Sequence, residues 1–551
     1  MRGRTVQACF ESAKMCLEKS PMFTVSRKKL AAALVGGALF SSVLAAPLWA
    51  EPAGGQDSVA LQGASRRSVG VSPDRIYADL TQAVEQARHL KSASSVPRLE
   101  AAAKPVLRNL GRYPNMSRVH GQEEPLWITD RGDLTAQAVV LLSLLERVDP
   151  SPQRREELNK LAVGLQYLQR RERAEYPYGA HISWRDEGPF ARLSDGSSVP
   201  TAYYQTDRAF AVQALALAGQ VLQEDDFIQS AKQEAFGMSV HLLVHGDLIR
   251  SFSPQLEVSN DANDALPLIE GFWTLHKVTG ERIYADLAAL ASHWDNTGKS
   301  LSGECWEELK AAIKASPSGK LLAARPKGKP VTFQYIEAED GKVVNKAIDT
   351  LDYQSSSDQP GRLAVMGREN TFWMRFDVPT EDDYLFDLAY LQSDVGGGLV
   401  SVMMRIDGDK IFQVPLGDVD GKPILRRKYV DGPRPLRAGP HSFGIRFSGL
   451  LMTKPALLDS VVVQPALERR VFELPGGEYL YLLRNVTDQV ARTDIDHFAS
   501  WPPKEQVVVD AEGAPSKLGA SEDRRRRRKF VTLPPFGVAL VKVDASRAGM
   551  E

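Results

Sequence analysis

The sequence predicts a multidomain protein in which a helical domain precedes β-sheet domains. With 551 residues, the chain is too long for one ordinary hydrophobic core. Apolar residues recur at helical spacing in its first half and alternate with polar residues in its second half. Apolar residues make up 43% and charged residues 25%, which is typical of soluble globular proteins. These observations argue against a wholly disordered chain and against a polytopic membrane protein.

Residues 1–50 are predicted to be a leader that ends in a secretory signal. Arg27, Lys28 and Lys29 precede an apolar stretch over residues 30–48, and small residues lie close to Ala50. This order of charge, apolar stretch and small residue is typical of a cleaved signal. An uncleaved membrane anchor is the alternative, because the stretch is about long enough to span a bilayer. We expect cleavage after Ala50, and a secreted or periplasmic protein of the bacterial envelope that is free of the membrane.

The predicted mature chain has one cysteine and a mildly acidic charge. Cys9 and Cys16 lie in the leader, so only Cys305 remains and no internal disulfide can form. Without residues 1–50 the chain has 61 basic and 67 acidic residues, a net charge of −6. This balance argues against a nucleic-acid-binding protein with a dominant basic surface.

Residues 51–71 are predicted to be a linker, and residues 72–316 an array of helical hairpins. Leu134, Ala138, Leu141 and Leu145 repeat at helical spacing, and short polar joins separate such helices. The triplet Thr-Asp-Arg occurs twice, with Thr129 and Thr206 as first residues 77 positions apart. Repeats of this size indicate stacked or circularly arranged hairpins.

The second half of the chain is predicted to be β-structure. Residues 317–331 are rich in Pro, Gly and Lys and are expected to be a linker. Phe372, Met374 and Phe376 alternate with Trp373, Arg375 and Asp377, which predicts a β-sandwich over residues 332–466. Further apolar runs predict a small C-terminal β domain over residues 467–551.

Residues 332–466 resemble carbohydrate-binding modules of the β-jelly-roll type related to families 6 and 35. The resemblance lies in the opening segment 335–340 (YIEAED), the middle segment 373–379 (WMRFDVP) and the closing segments 436–441 and 458–463. It implies a structural calcium ion held by Glu337, Glu339 and Asp459, whose carboxylates suit calcium. It also implies exposed aromatic residues that bind sugar, for which Tyr353 and Tyr390 are candidates. An edge-strand charge pattern and ordinary packing residues are the alternatives.

Residues 72–316 resemble the (α/α) toroid domains of secreted polysaccharide lyases and glycoside hydrolases. The resemblance lies in an apolar helix over 268–272, a Thr-Gly-Glu turn at 279–281 and a second helix over 282–288. It implies a toroid of helical hairpins, which is partial if the region holds fewer than six hairpins. The motif is structural and does not identify catalytic residues.

Residues with suitable chemistry fall on one long connection and at three helix starts. The connection carries His181, a candidate base, and aromatic or basic residues that suit a sugar ring or a uronate carboxylate. The candidate substrate-binding residues are Trp184, Arg185, Tyr203, Tyr204 and Arg208. The candidate catalytic carboxylates are Asp130, Asp207 and Asp261. The alternatives are helix N-caps for Asp130 and Asp207, ordinary structural roles for His181 and Trp184, and bridges between hairpins for Arg208.

Two functions follow from these patterns. The first is a secreted polysaccharide-degrading enzyme, either a hydrolase or a lyase, with a glycan-binding module and a structural calcium ion. Paired carboxylates would favour a hydrolase, whereas His, Tyr and Arg with an anionic substrate would favour a lyase. The second is a non-catalytic glycan-binding or envelope scaffold protein, because a fold alone confers no activity. In both cases the expected partner is a polysaccharide or oligosaccharide.

Overall fold

The computed structural model describes most of the chain between residues 73 and 544, and all of these residues belong to one compact unit, 67–551. The described ranges are 73–108, 111–113, 126–128, 132–167, 191–193, 198–199, 205–243, 248–251, 257–259, 265–293, 301, 303–340, 342–343, 350–354, 360–366, 371–392, 401–408, 410–415, 424–429, 434–448, 456–487, 489–494, 505–510, 514–523 and 528–544. At some of these positions only the backbone is described. The predicted leader and signal, 1–50, and the predicted linker, 51–71, lie outside these ranges.

The described part of the N-terminal region is mainly helical. Its α-helices are α1 (Pro73–Arg88), α2 (Val96–Glu100), α3 (Lys104–Arg108), α4 (Gly132–Val148), α5 (Pro152–Tyr167), α6 (Gln205–Leu222), α7 (Asp225–Met238), α8 (Leu266–Thr279), α9 (Arg282–Ala291) and α10 (Glu304–Ala315). Short strand pairs lie between some of them: β1 (Gly111–Tyr113) with β2 (Leu126–Ile128), β3 (Ala191–Leu193) with β4 (Ser198–Val199), and β5 (Leu248–Ser251) with β6 (Glu257–Ser259). Antiparallel sheets follow, so the predicted order of a helical region and then β-structure is confirmed.

Local chemistry sets the turn between α8 and α9. Gly280 has φ 75°, a left-handed conformation that glycine adopts without steric cost. Its N–H donates to the carbonyl oxygen of His276 at 2.7 Å, which closes the last turn of α8. Helix α9 begins two residues later at Arg282, and its buried residues include Ile283 and Leu287. The Thr-Gly-Glu segment therefore joins the two helices of one hairpin.

Three helical hairpins form an ordered array in the described part of the chain. The hairpins are α4–α5, α6–α7 and α8–α9, and their first helices pack side by side in the order α4, α6, α8. Gly271 on α8 allows close approach, because a Cβ there would lie 3.1 Å from both Ala209 O and Val212 Cβ on α6. Arg147 and Gln220 hydrogen-bond near the C-terminal ends of α4 and α6, so these two helices run parallel. A complete toroid stays a prediction.

The remaining strands build two β regions. From residue 325 to residue 465 they are β7 (Arg325–Val331), β8 (Gln334–Glu337), β9 (Lys342–Val343), β10 (Thr350–Gln354), β11 (Pro360–Met366), β12 (Phe372–Val378), β13 (Asp382–Gln392), β14 (Ser401–Ile406), β15 (Lys410–Pro415), β16 (Ile424–Tyr429), β17 (Arg434–Leu436), β18 (Gly439–Ser448) and β19 (Ala456–Pro465). The last are β20 (Leu467–Leu474), β21 (Glu478–Asn485), β22 (Ala491–Asp494), β23 (Glu505–Val509), β24 (Gly519–Asp523), β25 (Arg528–Leu533) and β26 (Val538–Asp544).

Residues 334–465 form a sandwich of two antiparallel sheets. The larger sheet contains β16, β13, β19, β11 and β10 in that order, with β8 also paired to β19 and β17 to β13. The smaller sheet has the order β15-β14-β18-β12-β9. Phe372, Met374 and Phe376 point into a shared core with Phe386 of the larger sheet, as the alternation in the sequence predicts. The jelly-roll topology itself stays a prediction.

The segment 317–331 differs from the expected linker. Residues Pro317–Ala323 form a 3₁₀ helix, and β7 pairs with β20 in a sheet of order β23-β26-β21-β20-β7. The prolines of β7 are tolerated because β7 is an edge strand, which accommodates proline where the missing N–H would face away from the neighbouring strand. The sandwich is therefore inserted between two neighbouring strands of the C-terminal domain.

The C-terminal sheet has two buried faces. Leu480 and Leu482 of β21 join the core of the helical domain, together with Phe472 of β20. Tyr481 and Leu483 point to the opposite side, where β22, β25 and β24 form a second, smaller sheet. Side chains that alternate along one strand thus contribute to two hydrophobic cores, one on each face of the sheet. The helical domain therefore shares its core with the C-terminal domain.

Two buried polar networks join the inserted sandwich to the C-terminal sheet. Glu468 is fully buried, and its Oε1 accepts hydrogen bonds from Thr332 and Gln464 at 2.9 Å each. Its Oε2 accepts from Arg484 at 3.1 Å. Thr332 precedes the sandwich and Gln464 lies at its end, so one carboxylate binds both of the chain segments that connect the sandwich to the C-terminal sheet. Burial of such a charge is tolerated because its oxygens are paired.

In the second network, Arg469 of β20 is buried and donates to Asp382 Oδ2 of the sandwich at 2.9 Å. It also donates to Thr493 Oγ1 of β22 at 2.9 Å. The N–H of Asp383 donates to Asp382 Oδ1 at 2.9 Å, so both carboxylate oxygens are bonded. This pair holds one edge of the sandwich against the C-terminal domain.

Candidate functional site

The three predicted catalytic aspartates lie, in sequence, close to the starts of α4, α6 and α8. Asp130 precedes α4 by two residues, Asp207 lies in the first turn of α6, and Asp261 precedes α8 by five residues. Gln213 Nε2 donates to Thr274 Oγ1 at 3.5 Å, which together with the contact at Gly271 shows that α6 and α8 also run parallel. The N-terminal ends of the three helices therefore share one rim. Asp130 and Asp261 lie outside the described residues, and only the backbone of Asp207 is described.

Helix α1 contacts each of the three helices close to this rim. Tyr77 packs edge-on against Phe210 of α6, with ring centroids 6.4 Å apart. Thr81 donates a hydrogen bond to Gln137 of α4 at 3.1 Å. Both contacts fall within the first two turns of α4 and α6. Helix α1 therefore packs at the same end of the array as the helix starts that are predicted to carry catalytic residues.

A charged cluster that the sequence did not reveal joins α1, α8 and α10. Arg88 forms two hydrogen bonds with the carboxylate of Glu270, at 2.9 and 2.7 Å. The Cys305 thiol donates to Glu270 Oε1 at 2.7 Å, and Arg88 lies 2.6 Å from the same sulfur. Glu270 and Cys305 lie 182 and 217 positions after Arg88 in the chain, so no local sequence motif predicts the cluster.

The cluster keeps Arg88 charged and the thiol protonated. Burial lowers the pKa of Arg88, but hydrogen bonds and the charge of Glu270 raise its pKa above the ordinary value. Burial, and then the charge of Glu270, raise the pKa of the Cys305 thiol well above its usual range. A thiol with such a pKa is a poor nucleophile at neutral pH. The arrangement therefore fits a structural bracket between helices better than a catalytic centre.

The predicted substrate-binding connection lies mostly outside the described residues. This applies to His181, Trp184, Arg185, Tyr203 and Tyr204, while only the backbone of Arg208 is described, in the first turn of α6. The described part of the connection is the strand pair β3–β4. Strand β3 pairs with β10 of the sandwich, and Leu193 lies opposite Tyr353 in the register. The connection therefore extends the larger sheet of the sandwich at the strand that carries one predicted sugar-binding tyrosine.

The predicted calcium ligands fall at a break in the edge of the larger sheet. Strand β8 pairs with β19 over residues 460–463, and β11 pairs with the same edge over residues 456–458. Asp459 lies between the two pairings, and the register between β13 and β19 also shifts there, as in a β-bulge. Glu337 pairs with Ser460, and Glu339 lies in the 3₁₀ helix Ala338–Asp340 that follows β8. The backbone thus brings all three predicted ligands to one place.

The chemistry of this junction suits calcium. Three carboxylates would supply oxygen ligands with charge, and an irregular backbone between two strands leaves room for carbonyl ligands. The side chains of Glu339 and Asp459 are not among those described, and within the described side chains no group of three His, Cys, Asp or Glu could hold a metal. Calcium binding therefore stays a prediction. The same applies to sugar binding by Tyr353 and Tyr390, of which only the backbone is described.

A histidine–aspartate pair fixes the turn at the far end of the smaller sheet. Asp407 has φ 51°, and its Oδ2 lies 2.7 Å from His441 Nδ1. The other ring nitrogen, Nε2, lies 2.6 Å from the carbonyl oxygen of Arg437. Both partners are acceptors, so the doubly protonated ring satisfies both contacts. Burial lowers the pKa of His441, but these two acceptors raise it above its ordinary value.

Comparisons with known proteins give only partial likeness. No protein-family model matches the chain, and no curated protein matches it. Among solved structures, a family 26 β-(1,4)-mannanase with a family 35 module from Podospora anserina is 15% identical, with a TM-score of 0.18. The match covers 24% of this chain and 28% of the mannanase, so the chain spans well under a third of that relative's length.

Two further structures illustrate the range of the matches. The C-terminal family 6 module of a marine laminarinase from Zobellia galactanivorans is 14% identical over 24% of this chain and 98% of the module, with a TM-score of 0.18. A cycloisomaltooligosaccharide glucanotransferase from Paenibacillus sp. is 10% identical over 52% of this chain and 60% of that chain, with a TM-score of 0.18. These three structures are carbohydrate-active enzymes or carbohydrate-binding modules. Scores of this size do not establish a shared overall fold. Among the described helices, none has the length and apolar composition needed to cross a membrane.

Proposed function

We propose that this chain is a secreted polysaccharide-degrading enzyme whose helical domain carries the active site and whose inserted sandwich binds glycan. The observation that carries the proposal is the parallel packing of α4, α6 and α8. It supports a shared rim for Asp130, Asp207 and Asp261, each near the start of one of these helices. Carboxylates gathered at one rim suit acid–base chemistry on a glycosidic bond.

The pairing of β3 with β10 supports a combined binding surface. The connection that contains His181, Trp184 and Arg185 also contains β3, which extends the sheet of the sandwich. The groups that we assign to substrate binding therefore belong to the same connection as a strand of the sheet that we propose holds the glycan. Hydrolysis and β-elimination are both consistent with this residue set.

The proposal is tested by incubating the mature protein with neutral and uronic-acid polysaccharides in the presence of calcium. Both reducing ends and the absorbance of unsaturated uronates are followed. New reducing ends with that absorbance identify a lyase, and new reducing ends without it identify a hydrolase. For Asp207→Asn we expect a loss of activity of at least about 100-fold, the usual contribution of a catalytic acid or base. Asp225→Asn, at the exposed start of the outer helix α7, should keep full activity.

A non-catalytic glycan-binding protein is the second candidate. The described residues contain three helical hairpins, fewer than the six of a complete toroid, and this observation favours a scaffold. Retention of the protein on a polysaccharide in an affinity gel, with no product from any polymer, would support this candidate and contradict the first.

We further propose that Glu337, Glu339 and Asp459 hold a structural calcium ion. Binding to the folded state alone stabilises a protein by about 2.7 kcal/mol when the ligand is at 100 times its Kd. Calcium should therefore raise the melting temperature, and a chelator should reverse the increase. Asp459→Asn should abolish this response, whereas Glu473→Gln, an exposed position on β20, should keep it. An equal calcium response in both variants would contradict the assignment.

A further inference from the structure

The outer face of the smaller sheet of the sandwich carries a flat aromatic surface. Phe372, Met374 and Phe376 of β12 point into the core, so Trp373 and Arg375 point outward. Trp373 lies opposite Gly444 of β18 in the register. A Cβ on Gly444 would lie 2.9 to 3.0 Å from three neighbouring atoms of the six-membered ring of Trp373. The ring therefore lies flat over Gly444, which is buried beneath it, while Trp373 itself stays partly exposed.

Glycine at position 444 is what allows this geometry. Any side chain there would lift the ring from the sheet, and a cross-strand pair of Trp and Gly leaves the other ring face toward solvent. An indole ring presented in this way suits stacking against the C–H face of a sugar. The ring could enter the core only if the alternation of β12 were shifted by one residue, which would turn Phe372, Met374 and Phe376 outward.

Three exposed arginines surround this ring on the same face of the sheet. Arg405 of β14 is opposite Gly444, Arg446 is two residues further along β18, and Arg375 is two residues along β12 from Trp373. Adjacent strands are about 4.8 Å apart and alternate residues about 7 Å apart, so all three lie within about 10 Å of the ring. None of them forms an ion pair with a described residue. Asp377 is the one exposed acidic residue of β12, at the end away from Trp373.

We propose that this face is a binding site for an acidic polysaccharide with a carboxylate on each sugar ring. One ring stacks on Trp373, and the guanidinium groups of Arg405, Arg446 and Arg375 pair with carboxylates of that ring and its neighbours. Arginine suits this role because its planar fork matches a carboxylate with two parallel hydrogen bonds. The excess of positive charge on the face selects against neutral glycans.

This site is separate from the predicted calcium junction. Glu337 and Asp459 belong to the larger sheet, whereas Trp373 and the arginines belong to the outer face of the smaller one. Binding here should therefore be independent of calcium. The assignment deepens the proposed function by naming the charge class of the glycan, and it rests on that function for the choice of a glycan as the ligand.

The test is affinity gel electrophoresis of the mature chain, residues 51–551, with polygalacturonate, a sulfated polysaccharide or a neutral β-glucan in the gel, each with and without a chelator. We expect retention by polygalacturonate that persists with the chelator and weakens as salt increases. Trp373→Ala and the double variant Arg405→Gln/Arg446→Gln should each weaken retention at least about tenfold. Arg325→Gln, an exposed arginine of β7, is the matched control and should bind like the parent.

Other outcomes overturn the assignment. Retention by polygalacturonate that is unchanged in the double arginine variant would place the binding elsewhere. Equal retention by the neutral glucan, or retention by the sulfated polymer alone, would contradict selection of the carboxylate. Thermal unfolding of each variant identifies any loss that is due to misfolding, and the double arginine variant changes only exposed side chains. Failure of the proposed function looks different, because it appears in the activity assay as no product from any polymer, whatever the affinity gel shows.

Discussion

At the scale of single residues, the joints between domains depend on charges that the chain buries in pairs. Asp382 is the clearest case, because burial raises its pKa to about 6 although the charge of Arg469 lowers it. Loss of hydration at this position therefore outweighs the attraction of its partner. Protonation of this carboxyl is therefore more favourable in the folded protein than in the unfolded chain.

This gives a pH dependence with a definite sign. A carboxyl whose pKa is raised on folding contributes stability below its unfolded value, near 4, and loses that contribution as the pH rises through about 6. The change corresponds to about 3 kcal/mol. We expect the difference in unfolding free energy between the parent and Asp382→Asn to shift by this amount, against the parent, between pH 4 and pH 7. Urea denaturation at several pH values measures it, and a constant difference would contradict the prediction.

The sequence contains little information about these residue-level pairings. Glu468 and Arg469 are consecutive charged residues of β20, and Arg484 lies on β21, so each of them by itself indicates a solvent-exposed position. Their burial arises because the helical domain covers one side of the sheet and β22, β25 and β24 cover the other. The cluster of Arg88, Glu270 and Cys305 is hidden for the same reason, since its members are far apart in the chain.

At the scale of elements, periodicity predicts most of what the structure contains. The repeat over Leu134 to Leu145 lies on α4, the Thr-Gly-Glu turn joins α8 and α9, and the alternation over 372–376 lies on β12. The sequence of β7 predicts a linker because its two prolines and one glycine are typical of a loop. Its edge position in the sheet, which depends on pairing with β20, is what allows those residues.

The close packing of α6 and α8 at Gly271 makes an element-scale prediction. A side chain at this position must displace Ala209 or Val212, each 3.1 Å from the position of the added Cβ. We expect Gly271→Val to lower the free energy of unfolding by about 1–3 kcal/mol, the usual cost of overpacking. Ala78→Val, on the exposed face of α1, controls for the helix propensity of valine and should cost about 0.5 kcal/mol or less. Equal losses from the two variants, measured by chemical denaturation, would show that the helices have room to separate.

At the scale of the whole molecule, the helical and C-terminal domains are one folding unit with the sandwich inserted into it. Phe472, Leu480 and Leu482 belong to the helical core although they lie beyond the sandwich in the chain. The sequence predicts the three regions but not this nesting, because the strand pairing across residues 332–466 joins positions that are distant in the chain. The sequence pattern likewise does not predict the distances between the side chains of the candidate site, because these distances depend on how closely the helix starts approach one another.

The nesting predicts how the molecule tolerates deletion. Val331 and Arg469 are register partners, so replacing residues 332–466 with Asn-Gly leaves a four-residue connection, Asn-Gly-Leu467-Glu468, between β7 and β20. We expect this variant to remain folded, with helical circular dichroism and a cooperative thermal transition. Truncation after residue 466 should instead unfold the helical domain, because it removes apolar side chains from that core. A folded truncated chain would contradict the shared core.

The insertion between β7 and β20 also determines how a mechanical load passes through the molecule. A sandwich attached to an immobile polymer pulls on two neighbouring strands at once, at the same end of the sheet. Strand β7 is at the edge, so the load is resisted by the ladder between β20 and β21, which joins residues 467–474 to 478–485 in shear. One peptide-bond cleavage inside the sandwich would still leave both of its halves covalently attached to the rest of the protein. The inserted sandwich therefore stays attached to the rest of the protein through two strands, both under a pulling force and after a single cleavage.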